Sequence, residues 1–421
     1  MSNIIIKNSR NTKNAPQDTL STQSVAFSHY NNISAQLPIN PVTGALVHGD
    51  ITAQAQQCLE NIAAIIKSIG HVVSHVVKIN IFLKDISDMV AVNTVYADFF
   101  ENDFPTRVVV AVAALPMDGA LVQMDALISN GEGTQPQAPC KLIKMARNTE
   151  NAPQDTLSTQ TVAFSHYNNV SAQLPIDPVT GKITTGDIKE QAKQCLKNIK
   201  AILESIDVPL DDIVKINVYL KDLADIDAVN EMYTTFFPDS AIARAVAYVP
   251  ARTVIVASDL PMNALVQMDA VVSHGDGTPP QEVEDRHGIV IKANNTENAP
   301  LNALSTQTVA FSHYNHISAQ LPINSKTGTL DASNIKEQTE QCLNNIKAIV
   351  ESINHVMDDI VKVNIQLKDI TDLNAVNDIY KTFFNSDLPA RTVIGVSAIP
   401  MNALIQIDAV VSNAEGTPPQ K

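Results

Sequence analysis

The sequence predicts an α+β protein in which one ββαβαββ unit is written three times in a single chain. Three observations carry that prediction. The segment Asn14 to Gln23 returns identically at Asn151 to Gln160 and, edited, at Asn298 to Gln307. Val-Ala-Phe-Ser-His-Tyr stands at 25–30, 162–167 and 309–314, and Ser-Ala-Gln-Leu-Pro-Ile at 34–39, 171–176 and 318–323. Connectors rich in Gly, Pro and polar residues follow the copies, from Gly131 to Pro139, from Gly275 to Gln281 and from Glu415 to Pro419. A period of about 140 residues is a domain, not a solenoid repeat. The expected units are 1–133, 144–277 and 289–421, with linkers 134–143 and 278–288. Three fused copies suggest a ring that separate chains would build by threefold symmetry, so a monomer acting as an intramolecular trimer is expected.

The second copy shows the elements in order. Thr161 to Gln173 alternates loosely around Tyr167-Asn168-Asn169, which reads as the turn of a hairpin. Asp187 opens a helix whose Ile188, Ala192, Cys195, Ile199, Ile202 and Ile206 form one apolar stripe. Ile213 to Leu220 reads as a strand and Asp225 to Phe237 as a second helix. Thr253 to Ala257 and Ala264 to Ser273 are Val-rich β runs. Helices on one sheet face leave the other face apolar and in need of a partner, for which the neighbouring repeats are the obvious choice.

Composition narrows the function classes. Of 421 residues, 45% are hydrophobic and 17% charged, enough apolar material for packed cores. No run approaches the ~18 apolar residues of a membrane span. Met1 to Lys13 lacks the apolar core of a signal peptide. Four cysteines make no disulfide framework, and the chain reads as cytoplasmic. A net charge of −15 without a Lys/Arg cluster speaks against nucleic acid as a partner.

In the second copy, Ser-Ala-Gln-Leu-Pro-Ile-Asp-Pro-Val-Thr-Gly (171–181), Gln191, Gln194, Leu196 and Asn198, Val214-Lys215, Val229-Asn230, Tyr233, Phe236-Phe237, Pro250-Ala251-Arg252, Leu260-Pro261 and Gln267-Met268-Asp269-Ala270 fall in an order that the other two copies follow with edits. This order resembles the RidA/YjgF family, also labelled endoribonuclease L-PSP or translation initiation inhibitor. The resemblance implies a chorismate-mutase-like α+β unit. It also implies a trimer around a central β-barrel with ligand clefts between neighbours. Members of its best-known branch hydrolyse 2-enamines and 2-imines to 2-oxo acids and ammonia, without a cofactor.

The family's carboxylate-clamping arginine falls on Arg107, Arg252 and Arg391, each nine residues before Pro116, Pro261 and Pro400. A guanidinium suits the task because its planar fork offers two parallel bonds to a carboxylate. In the second copy, eight extra residues follow Phe237. Counting forward from the Phe pair selects Arg244, whereas counting back from Pro261, in a Pro-Ala-Arg-Thr context shared with the third copy, selects Arg252.

Three departures from the family pattern recur in every copy. Gln123, Gln267 and Gln406 stand where its deaminases carry a Glu that positions water, and a Gln can hold a water but cannot take its proton. Ser21, Ser158 and Ser305 stand where a Tyr is usual, ahead of a retained Gln23, Gln160 and Gln307. Ala35, Ala172 and Ala319 replace a Gly whose backbone lies close to ligand, beside Ser34, Ser171 and Ser318, whose backbone is expected to touch it. Asn93, Asn230 and Asn377 on the second helix are read as hydrogen-bonding residues toward ligand or protein, and Tyr96, Tyr233 and Tyr380 as core.

Cys58, Cys195 and Cys342 read as buried small hydrophobes, and Cys140 as a lone linker residue. His29, His166 and His313 read as solvated hairpin residues, and no metal-ligand spacing or phosphate loop is present. The leading expectation is RidA-like hydrolysis of 2-imino or 2-enamino acids in three interfacial clefts. The Gln substitutions keep a second class open, a binder or sensor of small carboxylates without turnover. A ribonuclease is the third class, which the charge disfavours.

Overall fold

A computed structural model describes residues 6–131, 133–134, 142–237, 249–273, 278, 291–386 and 388–413. The first unit runs β1 (Asn8–Arg10), β2 (Ser24–Phe27), β3 (Tyr30–Ile33), α1 (Ile51–Ser68), β4 (Val76–Leu83), α2 (Met89–Phe100), β5 (Thr106–Ala111) and β6 (Val122–Ser129). Its mixed sheet has the order β1-β2-β3-β6-β4-β5, with β4 and β5 parallel. The other two units repeat this six-stranded order. The predicted ββαβαββ pattern is therefore present three times, each preceded by one short extra edge strand.

Local chemistry explains the element ends. The Asp50 carboxylate accepts from Ala53 N–H at 3.0 Å to open α1. Asp187 and Asn334 cap the equivalent helices Ile188–Ser205 and Ile335–Ser352. The predicted stripe Ile188, Ala192, Cys195, Ile199 and Ile202 is buried against the sheet. Each unit has such a core between helices and sheet, and Cys58, Cys195 and Cys342 sit in them with thiols pushed up by burial. Cys140 and Arg244 lie outside the described residues.

Two expectations are corrected. The hairpin turn is not at Tyr167-Asn168-Asn169: the strand Thr161–Phe164 turns at Ser165-His166, and Tyr167 already pairs with Phe164. Ser28, Ser165 and Ser312 supply the left-handed φ of 52°, 55° and 49° that the tight turn needs. The Asn pair, a turn signal by composition, instead lies in the strand. Nor do the strands close into one barrel. They form three separate six-stranded sheets, joined at their edges by isolated bridges, Ala111 to Asp259, Val256 to Ala398 and Ala114 to Gly395. At the arginines the seam is made partly by side chains, the Arg107, Arg252 and Arg391 N–H groups donating to serine hydroxyls of the neighbouring unit.

The second sheet face is covered by the other units, as expected. Tyr30, Tyr167 and Tyr314 meet edge to face with centroids 6.0–6.2 Å apart. Their hydroxyls donate to the carbonyls of Phe164, Phe311 and Phe27, each in the next unit. The tips of these hairpins bring the histidines inward. His29 is buried and His166 and His313 are half-buried, so they are not solvated. Burial and His313 push His29 down to about 4. A second apolar layer gathers Phe82, Val108, Val110, Tyr219, Ile255 and Ile394. Between the layers lies a polar cavity of about 150 Å³, lined by Lys78, Lys215 and Lys362. A bulge in each of three strands aims these lysines inward. Each finds a carboxylate in another unit, namely Asp269, Asp408 at 3.8 Å and Asp125 at 3.1 Å.

Candidate functional site: three clefts at the seams

Each seam is built by one strand carrying an arginine and by the next unit. Arg107 N–H donates to Ser171 Oγ, Arg252 N–H to Ser318 Oγ and Arg391 N–H to Ser34 Oγ, all at 2.9 Å. The three hydroxyls donate their own hydrogen bonds to the Thr159, Thr306 and Thr22 carbonyls. The serine side chains are thus committed to holding the seam. The backbone there is engaged as well, since Ser34 N–H donates to Gln23 O and Ala35 N–H to Arg391 O.

The arginine side chain points to the helix side of its sheet. Asn93 and Tyr96 lie three residues apart on α2 and so share a face. Arg107 Nη1 donates to Asn93 Oδ1 at 2.8 Å, and its guanidinium carbon lies 4.9 Å from the centre of the Tyr96 ring. Arg391 repeats this with Asn377 at 2.8 Å and Tyr380 at 5.1 Å. The three tyrosines are fully buried, as core residues should be, and each also forms the floor under a guanidinium.

The glutamine comes from the unit opposite the arginine. Gln267 lines a cleft of about 90 Å³ together with Arg107, Asp155, Ala172 and Pro261. Its amide donates to Val109 O at 2.8 Å, and Gln406 donates to Val254 O at 2.6 Å. With the nitrogen turned to the neighbouring strand, the amide oxygen is the group left for a third party. In Gln123 that oxygen is buried and unpaired. The structure therefore brings Arg107, Ser171 and Gln267 to one cleft and ties Gln406 to the strand that carries Arg252, while Arg391 is joined to Ser34 and Gln123 holds the equivalent glutamine position in the first unit.

One partner was not visible in advance. Arg107 Nη2 donates to Asp155 at 2.8 Å, and Arg391 Nη2 to Asp18 at 3.1 Å. Both aspartates stand on the loop that Gln160 and Gln23 tether, through bonds to the Ala152 and Pro153 carbonyls and to the Ala15 and Pro16 carbonyls. In the third copy that position is Asn302. Arg252, buried to 7% exposure, has Nε and Nη2 without a partner among the described residues, and Asn230 Oδ1 is unpaired as well. Its guanidinium rests closer to its tyrosine, 4.5 Å from the Tyr233 ring centre. The signal in the sequence was the run of three edited positions, Leu301-Asn302-Ala303, in an otherwise repeated segment.

An α+β unit repeated three times, with an arginine-bearing edge strand of each copy bonded to a serine of another, defines the class of protein. The family pattern described as endoribonuclease L-PSP matches residues 12–129, 149–274 and 296–413, and the chain belongs to this family. It is 43% identical over 124 residues to a RutC family protein of Pyrococcus abyssi, covering 29% of this chain and 91% of that one. It is 40% identical over 110 residues to the 2-iminobutanoate/2-iminopropanoate deaminase of Capra hircus, covering 26% of this chain and 80% of the relative. A solved structure of a conserved Rid family protein, YyfA from Yersinia pestis, is 40% identical, covers 30% of this chain and 99% of its own, and superposes with a TM-score of 0.29. No helix among the described residues is long and apolar enough to cross a membrane.

Proposed function

We propose that the chain hydrolyses reactive 2-imino or 2-enamino acids to 2-oxo acids and ammonia, working as a monomer whose three units supply the clefts of an intramolecular trimer. The observation that carries this reading is the buried guanidinium of each cleft, set over a tyrosine ring and faced by the next unit's glutamine. A planar carboxylate matches that fork. The substrate carboxylate would lie on Arg107, Arg252 or Arg391, and the C=N carbon would face Gln267, Gln406 or Gln123. The amide oxygen can accept one O–H of a water and hold it beside that carbon. Water adds to the carbon, and ammonia leaves as the carbonyl forms. The imine supplies the reactivity and the cleft supplies position. Two matched relatives named 2-iminobutanoate/2-iminopropanoate deaminase, from Dermatophagoides farinae and Capra hircus, support the reaction class.

The glutamines also favour a second reading, a binder of small carboxylates without turnover. An amide cannot act as general base. The deciding experiment follows 2-oxobutanoate release from freshly generated 2-iminobutanoate. It compares the wild type, the triple Arg→Ala variant and the triple Gln→Glu variant. Activity that vanishes without the arginines supports hydrolysis in the clefts. No wild-type activity, with activity restored by Gln→Glu, supports the binding protein.

A further inference from the structure

We propose that the three clefts are inequivalent, and that the one between the second and third units is the anion-accepting cleft, suited to a small monocarboxylate with an aliphatic substituent. Asp18 and Asp155 are then internal counter-ions that keep such a ligand out of the other two. The inference rests on the carboxylate reading above and adds which cleft acts and what sets its preference.

The chemistry lies in one atom. In the first and second copies, one oxygen of the aspartate accepts the N–H two residues on, Leu20 at 3.0 Å and Leu157 at 2.9 Å. The other oxygen takes the guanidinium. Asn302 makes the same turn, its Oδ1 accepting Leu304 N–H at 2.9 Å. The atom at the place of the second oxygen is then an amide nitrogen, which donates and cannot accept. Among the described residues Arg252 is consequently left without a paired anion, with no change in the loop's local fold. A buried guanidinium with no counter-charge is costly, and a ligand carboxylate removes that cost. In the other clefts the same ligand must first displace an attached carboxylate.

The flanking residues change in the same direction. Gln154 lines the first cleft beside Asp155. Gln17-Asp18-Thr19 and Gln154-Asp155-Thr156 become Leu301-Asn302-Ala303, which exchanges two polar side chains for apolar ones. Leu301 is 64% exposed. An aliphatic group beside the carboxylate would cover it.

Titration calorimetry of the full chain with 2-oxobutanoate tests this. Wild type should bind one equivalent tightly. Asn302→Asp, an exposed change that keeps the turn, should weaken that binding about ten- to a hundredfold with a melting temperature no lower than that of the wild type. The double variant Asp18→Asn with Asp155→Asn should bind three equivalents. Three equal sites in wild type, or an Asn302→Asp protein that binds as wild type does, would overturn the inequivalence and leave the carboxylate reading standing. No binding by wild type or by the double variant would sink the carboxylate reading itself.

Discussion

Arg107 of the first unit holds Asp155 of the second at 2.8 Å, the arginine buried and the aspartate side chain 46% exposed. The two ends of this pair therefore carry unequal weight. Asp155→Asn should cost about 1–2 kcal/mol, because it strips the buried guanidinium of its counter-charge, although water screens the aspartate end. Arg107→Ala should cost about 2–3 kcal/mol, because it removes the packing on Tyr96 and strands Asn93. Denaturant melts of the two variants check the asymmetry, and equal losses would contradict it.

The Lys78–Asp269 pair is buried at both ends and joins the first unit to the second. Lys78→Met leaves an uncompensated carboxylate and should cost about 3–5 kcal/mol. Adding Asp269→Leu should recover most of that loss. A double variant no more stable than the single one would mean that these lysines matter through their stems and not their charge.

His316 stands on the polar cavity where the other copies have Asn32 and Asn169. Burial, with Lys215 and Lys78 nearby, pushes it down to about 3. The unfolded chain, with an ordinary histidine near 6.5, then takes up the proton first. Stability should be greatest above pH 6.5 and fall toward pH 3, by at most about 1.4 kcal/mol per pH unit for this residue. His29, lowered to about 4, adds a second loss between pH 6.5 and 4. Urea melts at pH 7.5, 5.5 and 4.5 should show His316→Asn with the shallower slope. Parallel slopes would mean that His316 is protonated in the folded protein.

Gly395 lies at the seam of the third and first units, where an added Cβ would come 2.8 Å from Ala114 Cβ and 3.1 Å from its backbone nitrogen. Gly395→Val should cost about 1–3 kcal/mol by overpacking. Ala114→Gly should relieve part of that cost. A neutral Gly395→Val would show that this seam has slack.

The repeats made the three units and their order of elements legible, because each is a local pattern read three times, and the resemblance to the family singled out the arginine and glutamine positions. The Pro-Ala-Arg-Thr context shared with the third copy points to Arg252, which pairs with Ile216 in the register that Arg107 keeps with Ile79. What stayed hidden was long-range. Asp155 gave no local sign that it would meet an arginine 48 positions earlier. The hairpin histidines looked solvated because their neighbours on other units are invisible in sequence. The asparagines after Tyr167 read as a turn, whereas the turn was made by a serine in a conformation that composition does not announce.

The seam between the third and first units is made by the same Arg–Ser bond as the two seams that a linker crosses. Reading order and spatial order are therefore separable. A gene rearranged to begin with the second unit and end with the first would specify the same three neighbours. Arg252 would still donate its N–H to Ser318 across the seam of the second and third units.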